Sequence, residues 1–210
     1  MNTQAPIIDR RPEEDRTSLG HILMEAGRLS AEDVETVLKE QRAVGGRFGR
    51  TALRLGLVTQ ADVDGALARQ YDYAYLAPNS GLLAPEVVVA YQPFGNVAEP
   101  LRTLRTQLAL RWLERGRGCV ERPSLAVTGV GRGEGRSFVA ANLAVMFAQN
   151  GARTLLVDAD LRHPVQHRLF HVDNRRGLST LLAGRDAGEA IVPVPGLPQL
   201  FVLPAGPPPP

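Results

Sequence analysis

The stretch VTGVGRGEGRSFVAANLA, residues 127–144, has the layout of a phosphate-binding loop between a strand and a helix. The run SLAVTG at 124–129 is short and apolar, which is typical of a buried strand. Behind the glycines, the apolar pattern predicts a helix from about Ser137 to Gln149. A strand that feeds a helix through such a loop begins a βαβ unit, which implies parallel strands and a right-handed crossover.

Three later segments continue this α/β pattern. RTLLVDAD at 153–160 indicates a second buried strand and GLSTLLAG at 177–184 a short helix. QLFVLPAG at 199–206 indicates a third strand. The sequence therefore predicts an α/β domain with a parallel sheet.

The glycine-rich loop is the first candidate site. Its glycines let backbone N–H groups approach phosphate oxygens, and the next helix directs its positive end to the same point. Ser137 stands where a hydroxyl would bind Mg²⁺. Val130, however, stands where the standard loop has its first glycine, and glycine turns also occur for steric reasons alone. The candidate binding residues are Gly131, Arg132, Gly133, Glu134, Gly135, Arg136, Ser137 and Phe138.

Asp158 and Asp160 form a second candidate site. They follow a predicted strand at the sheet edge where α/β proteins bind ligands. Asp158 could hold Mg²⁺, and Asp160 could orient or deprotonate a nucleophile. One of these carboxylates could instead simply cap the next turn. Beside a phosphate loop, the ligand-binding interpretation is favoured.

Composition excludes several classes of function. The 210 residues are 44% hydrophobic and 22% charged, with a net charge of +2 and no basic stripe, so a nucleic-acid partner is not expected. No apolar run is long enough for a membrane span, and the charged N-terminus lacks a signal-peptide core. The single cysteine, Cys119, predicts a cytoplasmic protein. Lys39 is the only lysine, so an arginine at 136 could reflect a bias of the whole chain.

An internal repeat precedes the α/β region. Residues 19–41 align without gaps on residues 48–70, and each unit indicates two helices around a glycine turn. Ser30 and Thr59 are predicted N-caps, each followed three residues later by an aspartate. The repeat predicts a small all-α domain over residues 18–76.

The remaining segments complete the predicted organisation. Residues 1–17 are expected to be a disordered lead and residues 77–97 a linker. Residues 98–113 show a helical pattern inside the α/β domain at 98–210. Its expected apolar face is Leu101, Leu104, Leu108 and Trp112. Glu99, Arg102 and Arg105 share another face, which by itself indicates a solvated charged stripe.

The blocks TGVGRGEGRSFVAANLA, LLVDADLRHP, GLSTLLAG and LFVLPAG, with EPLRTLRTQL ahead of them, resemble the bacterial tyrosine kinases (BY-kinases) in the same order. This family is a MinD/ParA-like branch of the P-loop proteins and controls the polymerisation and export of capsular or exopolysaccharides. The resemblance covers roughly residues 90–208. It implies a P-loop parallel sheet with helices on both faces, and ATP and Mg²⁺ as cofactors.

The resemblance also assigns roles. Arg136 and the loop amides would hold ATP phosphates, and Ser137 and Asp158 would bind Mg²⁺. Asp160 would act with Asp158 and Arg136 in phosphoryl transfer to a tyrosine. Glu99, Arg102 and Arg105 match the family's ring-forming motif, which implies a homo-oligomer. A membrane chain-length determinant on a separate chain would be the partner and would place the protein at the inner face of the plasma membrane.

Three departures from the family pattern limit the expected activity. Arg136 replaces the phosphate-binding lysine, and its planar fork cannot sit in the loop as an ammonium does. The chain ends before the family's third nucleotide motif, so we expect a sheet that is incomplete at its C-terminus. The family's C-terminal tyrosine cluster is also absent from the sequence. An impaired kinase is therefore expected.

The N-terminal repeat has a resemblance of its own. It is similar to the N-terminal domain of type II secretion and pilus ATPases, some of which bind cyclic di-GMP. Arg47, Gly49 and Gln70 keep that pattern in the second unit, whereas the first unit departs from it at Ser18 and Arg28. Cyclic di-GMP binding and a docking role both stay open. Two alternatives to the kinase follow: a non-catalytic adaptor that senses this ligand or docks a membrane partner, and a positioning ATPase of the MinD/ParA type.

Overall fold

A computed structural model of the chain describes residues 18–71, 74–77, 80–113, 124–185 and 188–208. Contacts between residues divide the chain into two compact units, Met1–Tyr73 and Ala74–Pro210. The first is called the helical unit below, and the second the α/β unit.

The helical unit contains two pairs of helices that correspond to the two sequence repeats. The helices are α1 (Leu19–Glu25), α2 (Ala31–Val44), α3 (Phe48–Arg54) and α4 (Gln60–Gln70). Capping boxes start the longer helices: Ser30 and Asp33 exchange hydrogen bonds at α2, and Thr59 and Asp62 do so at α4. Helix α1 packs on α4 and α3 on α2, so each repeat buries its apolar face against the other.

Asp64 is the buried carboxyl of the helical unit, with 1% of its surface exposed. The Gln60 side chain donates to its Oδ1 at 2.8 Å, and among the described residues nothing donates to its Oδ2. Burial raises the pKa of this carboxyl above its ordinary value of 3.8. The ionised form is therefore disfavoured in the folded unit, and folding becomes more favourable as pH falls from neutrality through the raised pKa toward 3.8.

We expect Asp64→Asn to raise the free energy of unfolding of the helical unit at pH 7 by about 1–2 kcal/mol, because an asparagine does not carry the buried charge whose desolvation is costly. The gain should shrink as pH falls through the raised pKa, where the wild-type carboxyl takes up a proton. Hydrogen exchange of the α4 amides against pH measures this. Asp33→Asn is the control and should lower the free energy of unfolding at pH 7, since the Ser30 hydrogen bonds stabilise the charged carboxylate and lower the pKa of Asp33. An equal pH dependence in wild type and Asp64→Asn would contradict the prediction.

The α/β unit is built on a three-stranded sheet. Its strands are β1 (Thr154–Val157), β2 (Val192–Val194) and β3 (Leu197–Leu203), in the order β1-β3-β2. Strands β1 and β3 are parallel, with Leu156 opposite Val202. Strand β2 runs antiparallel to β3. Both predicted strands are thus present: β1 is shorter than the predicted 153–160, and β3 is shifted toward the N-terminus relative to the predicted 199–206. The hairpin of β2 and β3 was not predicted and makes the sheet mixed.

Five helices of the α/β unit lie in the described part of the chain. They are α5 (Val88–Tyr91), α6 (Ala98–Leu108, continued by a π-helical turn at Ala109–Leu113), α7 (Arg136–Gln149), α8 (Gln166–Leu169) and α9 (Leu178–Leu182). Helix α7 is the centre of the core, because it packs on β1, β3, α5 and α6. Its residues 141–149 are buried except for Phe147, as the apolar pattern predicts.

The segment 124–129, which was predicted as the strand before the loop, is not a strand in the structure. It lies outside the sheet and is exposed apart from half-buried Val127. In the described part of the chain, only β3 pairs with β1, so no neighbouring strand takes the backbone hydrogen bonds of 124–129. Leu155 and Val157 of β1 are 45% and 41% exposed, which also differs from a sheet covered on both faces.

Residues 77–97, expected to be a linker, contribute to the core of the α/β unit. Leu83, Val87, Val89 and Ala90 are buried there, beside α7. The prolines and glycines of this segment mark its turns correctly. Its apolar residues, however, are buried by packing against α7. The segment is therefore an integral part of the α/β unit.

The Asn142 side chain of α7 forms hydrogen bonds with the backbone of the 77–97 segment. It is completely buried; its Oδ1 accepts from the Val89 N–H at 3.0 Å, and its Nδ2 donates to the carbonyls of Glu86 and Phe138 at 3.0 and 2.9 Å. Gln149, at the end of α7, donates to the Ala74 carbonyl at 2.7 Å. These two polar side chains thereby supply hydrogen-bond partners to backbone groups of Ala74, Glu86 and Val89.

Helix α9 is fixed by the chain that follows β3. The N–H groups of Leu178 and Ser179 donate to the carbonyls of Pro204 and Ala205, each at 2.8 Å. Gly177 lies so close to this segment that a Cβ at its position would be 2.2 Å from the Pro204 carbonyl oxygen. The close contact requires a glycine.

Candidate functional site

The predicted phosphate loop leads directly into α7. Gly135 is the N-cap residue and has φ 78°, a left-handed conformation that favours glycine. Gly133 has the same φ. The helix begins at Arg136, one residue earlier than predicted, and its fourteen residues direct a positive end at the loop. The left-handed glycines and the helix start therefore lie where the sequence predicts the loop, although the preceding strand is absent.

Two charged side chains fold back over this loop. Arg136 donates from Nη1 to the Gly129 carbonyl at 3.1 Å. Glu134 accepts the Gly131 N–H on Oε1 at 2.9 Å. Val130 and Arg132 are exposed. The guanidinium thus lies along the loop, as expected for a side chain too large to sit inside it.

Asp158 follows β1 and is buried. Its Oδ2 accepts the N–H groups of Val165 and Gln166, both at 3.0 Å, and its Oδ1 accepts that of Asp160 at 3.3 Å. These bonds hold the turn that leads into α8. The carboxylate of Asp158 therefore faces backbone amides and caps the next turn. Turn capping was the alternative to ligand binding that the sequence left open for Asp158 and Asp160.

Asp160 is the exposed member of the pair. Its Oδ1 accepts the N–H groups of His163 at 2.9 Å and Arg162 at 3.2 Å. The His163 hydrogen bond lowers the pKa of Asp160 most, and the positive charge of Arg136 lowers it further. Asp160 is thus an exposed carboxylate in the field of the loop arginine, and of the two aspartates it is the better placed for a ligand.

Ser137 and Phe138 lie in the first turn of α7. Both are half-buried, and Phe138 packs against the hydrophobic core, so its ring has a structural role. The carbonyl of Ser137 accepts Nε2 of Gln166 at 3.2 Å, and the Gln166 Oε1 is buried without a partner among the described residues. Sequence reasoning missed Gln166 and Asn142; Asn142 was visible as an amide in the middle of an apolar helix.

The charged series of α6 is engaged within its own unit. Arg102 pairs with Glu99, donates to the Pro93 carbonyl, and lies over the Phe94 ring at 5.4 Å from the centroid. Arg105 donates weakly to Thr106 Oγ1 at 3.4 Å. On the predicted apolar face, Leu101 is buried but Leu104 is exposed, and the Trp112 side chain lies outside the described residues. The ring-forming role stays a prediction.

The candidate cyclic di-GMP residues lie in the helical unit. Arg47 is the exposed N-cap of α3, and Gln70 is the last residue of α4. Gly49 is buried, and a Cβ there would lie 3.1 Å from Leu19 and from Val63. Close helix packing alone thus accounts for the glycine of this pattern.

Within the described ranges, His, Cys, Asp and Glu side chains do not gather in groups of three that could hold a metal ion. No described helix has the length and apolar character required to cross a bilayer.

Comparison with known proteins identifies related kinases. No protein-family model matches the chain. It is 38% identical over 124 residues to the tyrosine-protein kinase YwqD of Bacillus subtilis, a match that covers 59% of this chain and 50% of YwqD. It is 32% identical over 135 residues to the putative tyrosine-protein kinase CapB of Staphylococcus aureus, covering 64% and 57%. The chain thus spans about half the length of these curated relatives.

A solved structure shares the fold. The kinase domain of the Escherichia coli tyrosine kinase ETK matches with a TM-score of 0.54 and 32% identity, over 63% of this chain and 50% of that one. The mixed α/β architecture is therefore similar to that of a bacterial tyrosine-kinase domain. Together, the relatives and this fold support a relationship to the bacterial tyrosine-protein kinases.

Proposed function

We propose that this chain is a nucleotide-binding protein of the bacterial tyrosine-kinase family. The chain would be an ATP-dependent tyrosine (auto)kinase, of impaired activity, that regulates the chain length, polymerisation and export of exopolysaccharides. The observation that carries the proposal is the loop at the start of α7, where the Gly131 N–H already holds a carboxylate oxygen of Glu134 at 2.9 Å. An amide that binds a carboxylate is suited to a phosphate oxygen as well.

Different residues of the site would bind the phosphates of ATP and the Mg²⁺ ion. The loop amides and Arg136 would hold the β- and γ-phosphates of ATP, with Asp160 beside them. Mg²⁺, when bound, would neutralise phosphate charge, and Ser137, Asp158 and Asp160 are the residues that would hold it. Asp158 fits this task less well than Asp160, because its oxygens accept three backbone N–H groups. The lowered pKa of Asp160 favours orientation of a tyrosine hydroxyl over removal of its proton.

The family relationship also suggests partners. A membrane chain-length determinant on another chain would recruit the protein to the inner face of the plasma membrane, and Glu99, Arg102 and Arg105 would contribute to a homo-oligomeric ring. Cyclic di-GMP as an effector of the helical unit rests on the sequence pattern of Arg47, Gly49 and Gln70 alone. These assignments are part of the proposal.

A non-catalytic adaptor is the second candidate, and one observation favours it. Arg136 donates from Nη1 to the Gly129 carbonyl and does not direct its charge into the loop. It would therefore neutralise the charge of a bound phosphate less well than a lysine in the loop would. A positioning ATPase of the MinD/ParA type is not favoured, because the relatives are named tyrosine kinases.

Calorimetric titration with ATP and Mg²⁺ separates the two candidates. We expect weak binding by the wild type and about tenfold tighter binding by Arg136→Lys, as the ammonium restores a point charge that fits the loop. Arg185→Lys, an exposed exchange outside the loop, is the control and should leave affinity unchanged. If neither the wild type nor Arg136→Lys binds ATP, the nucleotide-binding proposal fails and the adaptor stands.

A further inference from the structure

Glu134 differs from the other loop residues because its side-chain carboxylate accepts a hydrogen bond from a backbone amide of its own loop. Its Oε1 accepts the Gly131 N–H at 2.9 Å. A Cβ built on Gly129 would lie only 2.2 Å from its Oε2, so the carboxylate rests directly against the Gly129 backbone. The side chain therefore turns back onto the loop backbone, although the residue as a whole stays exposed.

The surroundings of this carboxylate are those expected of a bound anion. The Arg136 guanidinium approaches the same Gly129 position, where a Cβ would meet its Nη1 at 3.3 Å. The N-terminus of α7 begins two residues after Glu134. A backbone amide, a guanidinium and a helix N-terminus are the three groups that phosphate-binding loops use. In this loop, the Gly131 amide is paired with an oxygen of the chain itself, and the Arg136 guanidinium and the start of α7 lie nearby.

A phosphate and the Glu134 carboxylate cannot both use the Gly131 N–H. A ligand oxygen that takes this amide must displace Oε1, and the displaced carboxylate stays tethered near the ligand as a like charge. Both effects oppose binding, and the second grows with the negative charge of the ligand.

We propose that Glu134 is an internal occupant of the phosphate loop, which sets the affinity of the loop for phosphate ligands and disfavours the most highly charged of them. The inference rests on the proposed nucleotide-binding function and adds a selectivity that the glycines alone would not give. Glu134 is thus a specificity-determining residue of the loop.

Titration with inorganic triphosphate, with ATP·Mg²⁺ and with inorganic phosphate tests the proposal on the full chain. We expect Glu134→Gln to bind triphosphate about 3–10-fold more tightly than the wild type, with a smaller gain for inorganic phosphate. The exchange keeps the size of the side chain and removes only its charge. Glu189→Gln, an exposed change of the same charge in the α/β unit, should alter affinity less than twofold.

A second measurement keeps the test independent of affinity. In the free protein, the amide proton of Gly131 should move in the NMR spectrum on Glu134→Ala, and triphosphate should move it in the wild type. Equal triphosphate affinity in wild type and Glu134→Gln, or weaker binding in the variant, would overturn the internal-occupant proposal while nucleotide binding stands. Absence of binding in wild type, Glu134→Gln and Arg136→Lys would overturn both.

Discussion

Gly177→Ala should destabilise the α/β unit by about 3 kcal/mol or more. A methyl group at this position would lie 2.2 Å from the Pro204 carbonyl oxygen, 2.4 Å from the Gly206 nitrogen and 2.8 Å from the Ala205 carbonyl carbon. All three are backbone atoms, so no side-chain rotation relieves the overlap. The two hydrogen bonds from the start of α9 to residues 204 and 205 would lengthen or break as the segments separate.

Urea unfolding followed by Trp112 fluorescence measures this loss, because Trp112 is the only tryptophan and belongs to the α/β unit. Gly184→Ala, just beyond the other end of α9, is the matched control. Its φ of 65° costs an alanine about 1 kcal/mol, but a Cβ there meets no atom within 4 Å. Equal destabilisation by the two variants would show that backbone conformation, and not the contact with 204–206, decides the outcome.

Asn142→Ala should lower the free energy of unfolding of the α/β unit by about 3 kcal/mol. The change removes three hydrogen bonds at a completely buried position and leaves the Val89 N–H and the Glu86 carbonyl without their side-chain partner. Each buried backbone group left unpaired costs about 1–3 kcal/mol. The segment that includes α5 should also exchange its amide hydrogens faster, since Asn142 is its polar attachment to α7.

Asn150→Ala serves as the control for the same amino-acid change. Asn150 is exposed at the end of α7, and its loss should alter stability by less than about 0.5 kcal/mol. If Asn142→Ala changes the free energy of unfolding as little as Asn150→Ala does, water replaces the lost amide. The proposal that Asn142 holds residues 86–89 against α7 is then wrong.

The elements that the sequence predicts best are those with a strong local signal. Helix α7 joins a capping glycine to an apolar run, and α2 and α4 each begin with a hydroxyl cap and an aspartate three residues on. Their positions follow from short-range hydrogen bonds and side-chain periodicity. For the same reason, strands β1 and β3 are recognisable from their apolar runs.

The prediction failed where a neighbour decides the structure. The run 124–129 has the composition of a strand, but backbone pairing depends on a partner that no local pattern reveals. Residues 77–97 have the turn residues of a linker, and their burial depends on α7, fifty residues away. In the candidate site, the residue types of Glu134 and Arg136 were evident, whereas their orientation along the loop depends on side-chain contacts within it.

The packing of the helical unit points to its evolutionary origin. Gly20 would meet Phe48 and Val34 with an added Cβ, and Gly49 would meet Leu19 and Val63, which are the same positions exchanged between the repeats. Such reciprocal contacts define a self-complementary interface with twofold symmetry. The two repeats are therefore constrained at equivalent positions, as expected of two copies that arose by duplication of one two-helix unit.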